Sequence, residues 1–292
     1  MKNAPVRHSI EYGLFQLLRG LVRLLPHSTS RAIGRALAPL FYFLLAGRRR
    51  IALENLGSAF PEVAVKQREQ IARKSFVSMA SHATEMLSWE RFDSTQLCRR
   101  VTLEGWEHVT DAQAQSDSFF VMTAHFGPFE IVGQVTSLYL PPGYALVRPL
   151  DNPRLDRTLA ALRTRFGMTL VHKHGAARRL VRSLESGGRL VVLIDQRVRS
   201  RDALEVPFFG RPALAPSLIA RLAVKHNVPV VPMFAYPAAK GGYRIVARPA
   251  LTAEPGADAV VDLTARCTAA VESEIRRRPD LWLWMHDRWR MA

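Results

Sequence analysis

Cysteine is nearly missing from this chain: Cys98 and Cys267 are the only two in 292 residues. They lie far apart and neither belongs to a CxxC pair, which excludes a disulfide framework. Both read as small core or surface thiols of a reducing compartment. No HExxH and no Cys/His cluster of zinc spacing occurs, so no metal and no other cofactor is expected. The absence of Gly-x-Ser-x-Gly argues against a hydrolase-type serine nucleophile. The absence of a P-loop and of GxGxxG argues against a nucleotide cosubstrate. Long apolar runs are missing too. In the first fifty residues the longest uncharged stretch is Ala36–Gly47, broken by Pro39, against the roughly 20 apolar residues of a membrane span. Arg19 and Arg23 interrupt what would be the core of a signal peptide. Acidic residues are scarce, 25 against 41 Lys and Arg, for a net charge of +16. No helix-turn-helix, RNP-like string or zinc knuckle accompanies that charge, so nucleic acid is not the expected partner.

What is present begins with the placement of the charge. Residues 1–50 hold nine basic side chains against Glu11 alone, beside apolar runs such as Leu14, Phe15, Leu17, Leu18 and Leu21. The pattern is that of two amphipathic helices lying in a membrane interface, with arginines reaching anionic head groups. The expected organisation is a membrane-associating helical segment over 1–50 and a catalytic domain over 51–292. An ordinary helix pair on the domain surface is the competing reading of 1–50. Pro61 to Trp89 reads as a long helix with an apolar face. From residue 101 the pattern alternates. Strands are expected at Phe119–Ala124, Tyr144–Val147, Met168–Val171, Arg189–Asp195, Val228–Ala235 and Tyr243–Arg248, with helical segments between them. That order predicts an α/β fold with a mixed, largely parallel central sheet flanked by helices. Ligands of such sheets gather at the carboxyl ends of strands, where His125 and Asp195 fall.

The most informative string is Thr123-Ala124-His125-Phe126-Gly127-Pro128-Phe129-Glu130. It follows an apolar strand-like run, and Pro128 suits the first turn of a helix. His125 then sits at a strand end with Glu130 in the first helical turn, where the dipole favours a carboxylate. Glu130 can fix the tautomer of His125 and leave the other ring nitrogen to take a proton from a hydroxyl.

This string resembles the His-x4-Glu motif of glycerolipid and lipid A acyltransferases, in particular the bacterial late acyltransferases of lipid A assembly. The resemblance extends along the chain. It includes Arg48-Arg49-Arg50-Ile51-Ala52-Leu53-Glu54-Asn55-Leu56, Phe60-Pro61-Glu62 and Val147-Arg148-Pro149-Leu150-Asp151-Asn152-Pro153-Arg154-Leu155-Asp156. It continues through Leu193-Ile194-Asp195-Gln196, Val206-Pro207-Phe208-Phe209-Gly210, Val228-Pro229-Val230-Val231-Pro232 and Trp284-Met285-His286-Asp287-Arg288-Trp289. One departure is Pro128-Phe129, where the family often carries Asn-Trp.

The resemblance implies a fatty acyl thioester on acyl carrier protein as donor and a hydroxyl of a phosphorylated lipid A precursor as acceptor. It implies a place on the cytoplasmic face of a bacterial inner membrane, at a surface of anionic lipids. Functional residues of the family fall at the positions of Arg163 and Asp195, and an arginine at that of Arg148. Guanidinium forks suit a phosphorylated acceptor, and Asp195 is expected to pair with Arg163. Two other readings stay open: an acyltransferase acting on a phospholipid, glycolipid or other lipid headgroup, and a non-catalytic peripheral membrane protein of the same fold. Trp282, Trp284 and Trp289 read equally well as an interfacial belt or as a packed aromatic core.

Overall fold

The computed structural model describes residues 4–172, 176–198 and 203–289. Four helices open the chain: α1 (Ala4–Leu24), α2 (His27–Leu44), α3 (Ala46–Ala59) and α4 (Val65–Leu87). A short α5 (Ser94–Cys98) leads into β1 (Val101–Glu104), α6 (Glu107–Gln115), β2 (Phe119–Thr123), α7 (Glu130–Tyr139) and β3 (Gly143–Val147). Then come α8 (Pro153–Thr164), β4 (Thr169–His172), α9 (Ala176–Glu185), β5 (Arg189–Leu193), β6 (Ala203–Phe208) and β7 (Arg211–Pro216). The chain closes with α10 (Leu218–His226), β8 (Val230–Pro237), β9 (Tyr243–Ala247) and α11 (Ala259–Arg277).

Seven strands form one sheet in the order β1-β9-β8-β2-β5-β3-β4. Every pairing is parallel except β8 with β9, which gives the mixed, largely parallel sheet that the alternating pattern predicts. β2 explains why it lies at the centre. All five of its residues are buried, as a strand covered on both faces requires. Phe120 and Met122 join one core with Val192 and Phe234, and Phe119 and Val121 join the other with Val231 and Met233. The period of two delivers alternate side chains to the two helical layers.

Local signals set the entries to the site. Asn152 caps α8 by accepting from the backbone N–H groups of Arg154 and Leu155, and Pro153 occupies the first turn. β6 and β7 form a separate antiparallel hairpin, with Phe208 paired to Arg211. Its loop residues Phe209 and Gly210 both have positive φ, 53° and 69°, as a two-residue primed turn demands. Pro207, Pro212 and Pro216 make this ribbon hard to read as strand from sequence.

The expectation of a membrane-associated N-terminal helical segment, and with it the placement on the cytoplasmic face of an inner membrane, does not hold. Among the described residues no helix is long and apolar enough to cross a membrane. The N-terminal helices are instead packed onto the rest of the chain. α2 buries His27, Ser30, Gly34 and Ala38, and Thr84 of α4 donates to the Ser30 carbonyl at 2.8 Å. Two of the arginines assigned to lipid have protein partners. Arg19 donates to Glu90 at 2.8 Å, and Arg31 lies 2.7 Å from Glu85. The C-terminal tryptophans are core: Trp282 and Trp284 are fully buried, and their rings meet edge to face at 4.7 Å.

Candidate active site

Strand register assembles the site. β2 and β5 are parallel neighbours with Thr123 beside Leu193, and the Ile194 N–H continues the ladder onto the Thr123 carbonyl at 3.2 Å. Two residues beyond that pair, His125 and Asp195 leave adjacent strand ends together. Asp195 Oδ1 accepts from His125 Nδ1 at 2.9 Å. Its Oδ2 accepts from the His125 backbone N–H at 3.0 Å and from the indole N–H of Trp282 at 2.8 Å. Burial works to raise the Asp195 carboxyl, but the facing imidazole and these three donors hold it below its ordinary value. Burial likewise works to lower His125, and the Asp195 carboxylate outweighs it, so His125 is raised above its ordinary value.

The turn after His125 is fixed from two sides. Gly127 has φ 56°, and a Cβ at that position would lie 2.2 Å from the Ala235 carbonyl oxygen. Only glycine fits both the left-handed backbone and the close approach. The C-terminal segment pins the same turn: Gly127 N–H donates to the Leu281 carbonyl at 2.8 Å, and Leu283 N–H to that of His125 at 3.0 Å. Phe129 then lays its ring against the imidazole, with centroids 4.9 Å apart, and α7 starts at Glu130.

The two carboxylates exchange the partners that the sequence suggests. Glu130 does not hold His125; it receives a bidentate fork from Arg163, with Nε at 3.0 Å from Oε2 and Nη2 on Oε1. Asp195, expected on Arg163, holds His125 instead. The reason is geometric: Glu130 faces α8, while the Phe129 ring packs beside the imidazole. Both partners of the fork are about one-fifth exposed, and Glu130 raises the Arg163 guanidinium against the opposing effect of burial. Arg148, just past β3 on the same rim, is exposed and joins neither cluster. Sequence reading did not reach Trp282 as a partner of Asp195, nor Gln196, whose Nε2 lies 3.3 Å from His125 Nε2. Gln196 was visible only as the neighbour of Asp195 in a motif.

With Nδ1–H donated to Asp195, the remaining lone pair of His125 is on Nε2, which faces the Gln196 carboxamide. The side chain is 23% exposed. Beside it opens a cavity of about 320 Å³, lined by Phe129 and Glu130 and otherwise largely by apolar side chains, among them Phe15, Met86, Trp89 and Leu159. Among the described residues no three His, Cys, Asp or Glu side chains gather to hold a metal ion. The arrangement is suited to removing a proton from a hydroxyl beside a bound apolar chain.

Comparison with known proteins places the chain among acyltransferases. The chain is 26% identical to the lipid A biosynthesis lauroyltransferase of Escherichia coli (strain K12), over 92% of its own length and 88% of the relative's. It is 25% identical to the lipid A biosynthesis palmitoleoyltransferase of the same organism, over 91% and 86%. It is 26% identical to a lipid A biosynthesis acyltransferase of Haemophilus influenzae (strain ATCC 51907 / DSM 11121 / KW20 / Rd), again over 91% and 86%. The family profile described as bacterial lipid A biosynthesis acyltransferase matches residues 3–291. With that match over nearly its whole length, the chain belongs to the bacterial lipid A biosynthesis acyltransferase family and is an acyltransferase enzyme.

Proposed function

We propose that this enzyme transfers a fatty acyl group from a thioester on acyl carrier protein to a hydroxyl of a lipid A precursor, with His125 as general base. The observation that carries the reading is the His125–Asp195 pair, with Phe129, whose ring packs against the imidazole, lining an apolar cavity. Asp195 fixes the tautomer and stabilises the imidazolium that forms. The acceptor hydroxyl gives its proton to Nε2, and its oxygen attacks the thioester carbonyl. The resulting oxyanion collapses and expels the thiolate, which recovers the proton from His125. The backbone N–H groups of Phe129 and Glu130 have no intramolecular partner among the described residues and sit at the start of α7, where an oxyanion is favoured. Glu130 lines the cavity, and its fork with Arg163 uses two of the guanidinium N–H groups, which leaves others for a phosphorylated acceptor. No acyl-enzyme is required.

The test is turnover of purified protein with acyl carrier protein thioester and lipid A precursor, read by mass spectrometry of the lipid product. Wild type should give the acylated precursor, and His125→Ala should lose about 10²–10⁴-fold in rate. Near-wild-type turnover of His125→Ala would overturn the base assignment. Product on a phospholipid or glycolipid but not on the precursor would move the acceptor to another lipid class.

A further inference from the structure

The acid–base assignment leaves unused a polar side chain that touches His125. The Gln196 carboxamide nitrogen lies 3.3 Å from His125 Nε2, on the nitrogen that must meet the acceptor hydroxyl. As the lone pair is on Nε2, the carboxamide donates to it, so Gln196 fills the hydroxyl's place in the free enzyme. Its backbone is held on both sides. Asp195, immediately before it, is locked by three hydrogen bonds. The backbone N–H of Arg197, immediately after it, donates to His286 Nε2 at 3.0 Å. Burial lowers His286 below its ordinary value, so the ring stays neutral and keeps the lone pair that accepts this bond. A half-buried side chain on so fixed a stem is a preorganised donor.

We propose that Gln196 is a catalytic residue, whose carboxamide N–H yields the Nε2 position to the acceptor hydroxyl and then donates to the oxyanion of the tetrahedral intermediate. The proposal rests on the acyl-transfer reading above. In the step, the hydroxyl proton passes to Nε2, the new C–O bond forms, and the carbonyl π pair moves onto oxygen. Gln196 donates a hydrogen bond to that oxygen and transfers no proton. When the C–S bond breaks, the pair leaves on sulfur and the imidazolium returns the proton to it. Nε2 and the carboxamide then regain their starting contact.

Two variants test this, each checked for an unchanged melting temperature. Gln196→Ala removes the donor, and kcat should fall by about 10²–10³-fold with little change in KM for the acceptor. Gln196→Glu keeps the side-chain length but its ionised form has no N–H, so kcat should fall similarly. A carboxylate beside Nε2 also favours the imidazolium, so the acid limb of kcat/KM should move to higher pH. That shift checks that the side chain faces Nε2, and the fall in kcat of Gln196→Ala carries the donor role. If Gln196→Ala keeps near-wild-type kcat while His125→Ala is inactive, the Gln196 proposal fails and the base assignment stands. A raised KM with kcat unchanged also overturns it, because Gln196 then binds only the ground state. If His125→Ala is itself active, the underlying reading has failed.

Discussion

On the proposed mechanism, Asp195 decides the pH at which His125 is available as a base. A base must be neutral to accept a proton, and the Asp195 carboxylate, overcoming burial, raises His125 above its ordinary value. The acid limb of kcat/KM for the free enzyme should therefore lie above about 6.5, the unperturbed histidine value. Asp195→Asn removes the charge that favours the imidazolium. Its limb should move to lower pH, while the plateau drops by up to about 10⁴-fold because the ring loses its tautomer and orientation. Kinetics of both proteins across pH 5–9 check this; an Asp195→Asn limb that stays put or moves up contradicts it. His125 and Glu130 were legible as candidate site residues because they share one short strand–turn–helix string. The link to Asp195 was not, because the contact spans seventy residues and depends on β2 and β5 being neighbours. Local spacing gives strands but not their order in the sheet, so the nearer carboxylate took the farther one's role.

At the scale of elements, helix packing explains why the N-terminal pair belongs to the domain. Ser30, Gly34 and Ala38 recur on one face of α2, and a Cβ at Gly34 would stand 2.4 Å from Ser81 Cα and 2.5 Å from the Ala80 carbonyl oxygen. That backbone cannot give way without moving α4. Gly34→Ala should cost about 1–3 kcal/mol, and each kcal/mol lowers Tm by roughly 2–4 °C. Gly20 of α1 has no atom within 4 Å of a Cβ position, so Gly20→Ala should hold or slightly raise Tm through helix propensity. Thermal melts of the two variants read the difference; equal shifts would contradict the close α2–α4 contact. The buried strands were readable because β2, β5 and β8 are almost wholly apolar. The β6–β7 hairpin was not, since its prolines mask the alternation and its turn uses a phenylalanine at positive φ. α2 misled for a related reason. Its small residues Ser30, Gly34 and Ala38 do not read as a packing face until α4 is in place, while Phe43 and Leu44 stay exposed in the folded chain.

At the scale of the whole molecule, the apolar cavity is the feature no single segment contains. Phe15 comes from α1, Met86 and Leu87 from α4, Phe129 and Glu130 from the turn after His125 and the start of α7, and Leu155, Leu159 and Leu162 from α8. On the proposed mechanism the strand-end site supplies the chemistry, while helices distant in sequence line the space beside it. If the acyl chain occupies that space, each methylene buried there stabilises the complex by about 0.8 kcal/mol, or roughly fourfold in affinity. Chain-length preference then follows from how many methylenes fit. Leu159 lines the cavity and is only half-buried, so a larger ring can enter there with less strain than at the fully packed positions. Leu159→Trp should shorten the cavity and leave His125, Asp195 and Gln196 in place. In competition between two acyl thioesters differing by two carbons, the ratio of kcat/KM should shift toward the shorter donor by about tenfold. The rate on the shorter donor alone should stay near wild type. An unchanged ratio would show that the chain lies elsewhere, and equal loss on both donors would mean that the ring disturbs the catalytic turn through Phe129 and does not shorten the cavity.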